Sequence, residues 1–303
     1  MGKECPLRGA FLECQKHPVE GVFAGRSGDR RSRGRALSYP GDSAGPGICL
    51  CLWLRHTAGM HAAWAICRRD LLAMFTTPMA WLILFAWTMV TNGLFFLTGI
   101  EPASGDMPMA QPLFVSALDA GAWLLTLLAP AITMNAFAQE RQQGTMQLLM
   151  TVPVAEWQVV VGKYCATMVM LFTLVAATLV HILVLHFISD TGGRQVLAGY
   201  LGLLLLCSFY AALGIWMSVL VESPVVAYVI TFGVIALLHL FGLAAGGSGW
   251  LSALGGWLGI APHQQPFTQG DVRLVHVLWF IAATGIALTL AHGAMSSRRI
   301  HGL

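Results

Sequence analysis

Charge is what this sequence has least of. Only 10% of its 303 residues are Asp, Glu, Lys or Arg, against roughly 25% in soluble domains, and a chain that poor in charge does not suit a water-facing surface. The net charge of +3 is itself uneven: nine basic and five acidic residues fall in the first 59 positions, leaving eight basic against nine acidic in the rest. The body of the chain therefore lacks the basic field that nucleic acid attracts. A phosphate-cradling G-x-x-x-x-G-K-[ST] loop is absent too, because Gly162-Lys163 is followed by Tyr164 and has no glycine loop ahead of it. No segment of this chain can hold ATP phosphates. Of the seven cysteines, Cys5, Cys14, Cys49 and Cys51 lie in the leading segment, and Cys67, Cys165 and Cys207 lie in or beside apolar runs without ligand spacing. Neither a disulfide framework nor a zinc site can be read from them.

Apolar residues fill the space that charge leaves. The chain is 56% hydrophobic, with a mean hydropathy of +0.70. A bilayer-spanning helix needs ~20 apolar residues, and stretches at about 79–97, 120–138, 164–188, 196–221, 225–245 and 274–291 meet or approach that length. Lipid cannot satisfy free backbone amides, so such spans are helices or a closed barrel, and continuous apolar runs rule out the alternating barrel pattern. The expected fold is all-α: a polytopic membrane protein of six transmembrane helices.

Six spans place both termini on one side. With the first 59 residues set aside, that side carries Arg68, Arg69, Arg141, Lys163, Arg298 and Arg299, and the other carries Arg194 and Arg273. The positive-inside rule then puts both termini and the Arg141 loop in the cytoplasm, in a multi-pass protein of the cytoplasmic (inner) membrane. Residues 1–59 are rich in Gly, Arg, Ser and Pro without helical or strand period, which predicts a disordered leader. The apolar run 48–54 within it lies too far from the N-terminus for a signal peptide. We expect Met60 to be the natural start and 60–303 to be the transmembrane domain. In 61–78, Trp64, Ile66, Leu71, Leu72 and Phe75 fall largely on one face, with Arg68, Arg69 and Asp70 opposite. That pattern predicts an amphipathic helix on the cytoplasmic leaflet, ended by Pro78.

The stretch between the second and third spans is far more polar than a tight turn needs. The chain leaves the membrane near Ala138, turns through Glu140-Arg141-Gln142-Gln143-Gly144-Thr145, lays down a short amphipathic piece, breaks at Pro153 and re-enters after Trp157. Thr145 can cap a helix over 146–151, and Leu148 and Leu149 offer it an apolar foot for a partner's groove. Within the second span, Pro130 removes a helix hydrogen bond and suggests a gating kink. The glycine-punctuated link 246–273, with Trp250 and Trp257, predicts a re-entrant or surface-lying helical piece.

The residues Ala129-Pro130-Ala131-Ile132-Thr133-Met134, Ala138-Gln139-Glu140-Arg141, Gly144-Thr145, Leu148-Leu149, Pro153 and Trp157-Gln158-Val159-Val160-Val161-Gly162-Lys163-Tyr164 resemble the ABC-2 type transporter permeases, and within them the gliding-motility-associated permease branch. Further similarity lies at Gly199-Tyr200-Leu201-Gly202, Gly214, Ser218, His263, Phe267, Gly270 and Asp271. One departure is Val221-Glu222-Ser223-Pro224, where the branch carries an acidic-plus-amide turn. The resemblance covers about 61–299. It implies a permease subunit that moves a substrate with a separate cytoplasmic ABC ATPase, which would hold ATP and Mg, and with a second permease subunit alongside. It also implies a cytoplasmic coupling helix in the first loop, with Glu140, Arg141, Gly144, Thr145, Leu148, Leu149, Pro153, Trp157, Gly162 and Lys163 forming the ATPase-coupling loop. The chain itself would have no catalytic residues, no metal and no cofactor.

Other readings compete. Gly246-Gly247-Ser248-Gly249 and Ala291-His292-Gly293 resemble the serine and histidine motifs of rhomboid intramembrane proteases. A Ser–His pair must meet within hydrogen-bond reach, and Ser248 and His292 lie at opposite membrane surfaces. His181, His186, His239, His263 and His276, joined by Met107 and Met109, suggest copper chemistry; membrane histidines also hydrogen-bond between helices. Asp119 and Glu222, at span edges, read as hydrated ends. A non-transporting membrane anchor for an ATPase is the third alternative.

Overall fold

The computed structural model describes residues 46–100, 110–144, 155–180, 182, 193–247 and 249–301. Among them every regular element is a helix. In chain order these are α1 (Pro46–Thr76), α2 (Pro78–Ile100), α3 (Ala110–Thr133), α4 (Ala138–Gln142), α5 (Glu156–Ala177), α6 (Gly193–Leu220), α7 (Pro224–Ala244), α8 (Trp250–Leu258), α9 (Ala261–Thr268) and α10 (Leu274–His301). Six are long and apolar enough to cross a membrane: α2, α3, α5, α6, α7 and α10. The protein is a polytopic helical membrane protein.

Helix α6 is the axis of the bundle. Within its most apolar window 72% of residues are buried, against 22% for α2 and α10, so the outer helices keep most of their apolar surface for lipid or protein neighbours. Small residues let neighbours approach α6 closely. The Phe267 side chain of α9 lies against Gly202, where a Cβ would come within 2.6 Å of the Phe267 Cβ. Gly214 faces the Thr133 side chain at the end of α3 without room for a Cβ. The core around α6 joins Leu203, Leu206, Tyr210 and Leu213 to Leu125 and Ile132 of α3, Met170, Leu171 and Leu174 of α5, and Phe280 of α10. Hydroxyls cross-link the same helices: Tyr164 to Ser208 at 2.7 Å, Thr126 to Tyr210 at 3.3 Å and Ser208 to Thr284 at 3.4 Å.

The bundle has two unlike ends. We call the one bearing Arg69, Arg141 and Lys163 the basic end. At the far end the chain folds back on itself between α7 and α10, as the glycines predict. The amide of Ile260 donates to the carbonyl of Leu238, inside α7, at 3.4 Å. The backbones of Gly242 and Gly259 touch, leaving no space for a side chain at residue 259.

Two boundaries and one helix face differ from the sequence reading. Helix α1 begins at Pro46, so residues 46–59, placed in a disordered leader by composition, are helical; the run from Ile48 to Thr57 holds no glycine or proline to stop it. Residues 1–45 lie outside the described residues. Helix α5 begins at Glu156 rather than near residue 164, because Trp157–Lys163 is already helical. On α1 the single apolar face divides: Ile66 and Cys67 are buried, whereas Trp64 and Leu72 are exposed.

Candidate functional site

The charged loop is assembled by hydrogen bonds from elsewhere in the chain. Helix α3 passes through Pro130 and ends at Thr133, whose hydroxyl donates back to the Ala129 carbonyl at 3.0 Å. Four residues of turn follow before α4. A helix start leaves its first amides without partners, and α4 has no cap of its own: Phe137 stands at the cap position without a side-chain acceptor. Ser218 of α6 supplies it. Its hydroxyl oxygen accepts from the amides of Phe137 and Ala138, each at 3.0 Å, and donates to the Met134 carbonyl at 3.1 Å. The break in the chain is therefore fixed to the central helix.

Arg141 makes a second attachment. Its guanidinium donates to the carbonyl of Val219 at 3.1 Å and to Glu222 at 3.0 Å. These groups end α6 and form the turn into α7, where a cation complements the negative helix terminus. Glu222, read from sequence as a hydrated end, is the anion of this pair. Helix α4 then stops at Gly144, whose φ of +71° is the left-handed conformation that glycine adopts without strain.

Lys163 is the third and most buried element. Its side chain is 3% exposed, and its ammonium lies 3.0 Å from Asp70 of α1 and 2.9 Å from Glu140 of α4. It also lies over the Phe137 ring, 5.0 Å from its centroid. Arg69 closes the group, 2.8 Å from both Asp70 and Glu140. Two cations and two carboxylates balance, which a lysine at this depth requires. Helix α1 approaches α5 closely enough that a Cβ on Gly162 would meet the Ala63 carbonyl at 2.8 Å and Ile66 at 3.1 Å. An apolar layer of Ile66, Phe137, Val159, Val160, Ile215, Val219, Ala291 and Met295 backs the group. At the start of α5 the Gln158 side chain accepts from the Ala155 amide at 3.3 Å.

Of the residues singled out from sequence, Glu140, Arg141, Gly162 and Lys163 converge here, Gly144 ends α4, and Trp157 stands 42% exposed on the first turn of α5. Thr145, Leu148, Leu149 and Pro153 lie outside the described residues, as does the helix expected over 146–151. Sequence reading missed Arg69 and Asp70 as partners, having placed them on a solvent face, and it missed the capping role of Ser218. Its sequence signal was Ser218 itself, one of several hydroxyls in α6 and a position shared with the resembling family. Among the described residues no group of three or more His, Cys, Asp or Glu is placed to hold a metal ion. His263 and His276 face each other, with Nδ1 atoms 2.9 Å apart; His239 bonds the Ile235 carbonyl of its own helix at 3.2 Å. His181, His186, Met107, Met109 and Ser248 lie outside the described residues, and His292 sits well down α10 toward the basic end.

The site is a polar junction, in which a short helix between two spans is fixed to α6 by Ser218 and Arg141, and to α1 and α5 by a buried charge group. No curated protein matches the chain. The family model described as ABC-2 family transporter protein matches residues 64–254, a region that runs from α1 through this joint to α8. The chain belongs to the ABC-2 family of transporter proteins.

Proposed function

We propose that this chain is the permease subunit of an ATP-driven ABC transporter of the cytoplasmic (inner) membrane, within the gliding-motility-associated branch, with its basic end and both termini in the cytoplasm. A separate ABC ATPase carrying ATP and Mg docks on the segment 140–157, and a second permease subunit, the same chain or a related one, stands beside it. Gln142, Gln143 and Trp157 are exposed around that segment and form its accessible surface. Six basic residues against two across the connections give the orientation.

The observation that carries this reading is the Lys163 group together with the Ser218 cap. A soluble motor does work on a membrane domain only through a joint that does not slip, and a surface loop with no such duty needs neither a buried lysine nor a cap from another helix. ATP binding draws two motors together, the docked segments move with them, and Ser218 and Arg141 deliver the displacement to α6 and the start of α7. The shift between inward- and outward-open arrangements follows if the nucleotide-bound motors have different affinities for the two. The substrate path lies between the paired permeases, along α2, α3 and α7.

The test is coupled turnover. Arg141→Ala is expected to leave membrane insertion and copurification of the second permease intact while removing transport-stimulated ATP hydrolysis by the copurified ATPase. Undiminished coupled hydrolysis in that variant, or failure of any ATPase to copurify with the wild-type chain, overturns the proposal.

A further inference from the structure

Asp119 is a carboxylate inside a span. It lies on α3, one turn in from Val115, where that span begins, and it is only partly exposed. Among the described residues no ion pair includes it and no hydrogen bond reaches it. An ionisable group in such a place is costly and is ordinarily paired. One turn further along the same face stands Trp123, 55% exposed. Its ring lies 4.6 Å from that of His239 on α7, and the Tyr210 ring of α6 lies 6.5 Å from His239. His239 is 7% exposed, with Nδ1 3.2 Å from the Ile235 carbonyl. A carbonyl only accepts, so the proton is on Nδ1, and in the neutral ring Nε2 keeps its lone pair. The seam between α3 and α7 thus gathers a carboxylate, an indole face and an imidazole lone pair, three groups that attract positive charge.

We propose that this seam is a cargo-binding site for a hydrophobic organic cation, with Asp119 as its counter-ion, Trp123 as its aromatic platform and His239 adding to the negative potential. The proposal rests on the reading that the substrate path follows α3 and α7, and it names the class of cargo. A cation within about 6 Å of an indole face is attracted by the ring, and the same cation supplies the charge that Asp119 lacks. An anion is repelled by Asp119, and a neutral apolar molecule leaves it uncompensated. A metal ion is poorly served, because among the described residues no group of three or more His, Cys, Asp or Glu is placed to hold one. Leu127, one turn beyond Trp123 and 45% exposed, continues the stripe for the apolar body of the cargo.

Tetraphenylphosphonium and tetraphenylborate, alike in shape and opposite in charge, test this on the purified full-length protein in lipid nanodiscs, with protein-free nanodiscs as the blank. Radiolabelled tetraphenylphosphonium should bind saturably. Asp119→Asn should weaken that binding about tenfold or more, Asp119→Glu should keep most of it, and Trp123→Leu should weaken it about two- to fivefold. Tetraphenylborate should not compete. Absence of saturable binding, equal binding by Asp119→Asn, or competition by tetraphenylborate each overturns the proposal. If Asp119→Asn does not fold, the Trp123→Leu loss and the charge preference decide the matter. The site and the transport reading fail separately: binding that depends on Asp119 stands without any ATPase, and coupled hydrolysis that depends on Arg141 stands without this site.

Discussion

The two ends of the bundle are fastened by different chemistry. At the basic end the joints between helices are directional and polar: a lysine between two carboxylates, an arginine on helix-terminal carbonyls, a serine spanning a chain break. At the far end ring and backbone surfaces carry most of the contact, with few polar links among them. The His263 ring stacks on Trp279 with centroids 4.4 Å apart, the Trp257 carbonyl accepts from the Trp279 indole at 2.9 Å, and Gly242 lies against Gly259. Stacked rings and glycine backbones tolerate sliding, whereas a charge group that slips by one residue loses its compensation. The contrast suits a molecule in which register is held where the motor is proposed to dock and relaxed at the opposite end.

The contrast breaks first at Lys163. Lys163→Met removes the ammonium and leaves Asp70 and Glu140 with Arg69 as their one shared cation; breaking a buried pair in this way costs about 3–5 kcal/mol. The expected result is a large fall in the denaturation midpoint of the purified protein, and a variant as stable as wild type would show that the charge group does not hold the joint. Gly214→Val comes next, since its side chain would overlap Thr133. Overpacking of this kind costs typically 1–3 kcal/mol, read in the same melt. Ser218→Ala leaves the Phe137 and Ala138 amides without their acceptor, worth about 1–2 kcal/mol; Ser218→Thr should restore part of that loss if the hydroxyl is what matters.

The smallest effect belongs to the far end and sharpens the comparison. Burial, reinforced by the neighbouring His276, holds the His263 imidazole below its ordinary pKa. A histidine whose folded-state value is depressed contributes its full stability at neutral pH and loses it as pH falls through the ordinary value of about 6.5. Acidification from pH 7.5 to 5.5 should therefore lower the melting midpoint slightly in wild type. That part of the pH dependence should disappear in His263→Asn, and its persistence there would assign the effect to another group.

The spans were legible because each is a continuous apolar run, and α2, α6 and α7 fall within a few residues of where hydropathy alone places them. The start of α5 was not. Lys163 looks like a membrane-boundary charge until Asp70 and Glu140 are known to neutralise it, and those partners are distant in sequence. The site was half legible for the same reason: Glu140, Arg141, Gly162 and Lys163 stand in one recognisable stretch, whereas Asp70, Ser218 and Glu222 join it only through folding. Composition misjudged residues 46–59 because an arginine-rich flank dominates the average, while the helix depends on the local run from Ile48 to Thr57.

The burial of Lys163 also sets an order for biogenesis. A ribosome delivers Arg69 and Asp70 first, Glu140 second and Lys163 last, so a nascent chain holds both acids before their second shared cation exists. A chain interrupted before its third span thus displays two carboxylates with Arg69 as the one cation between them, a charge imbalance that disappears only when α5 arrives.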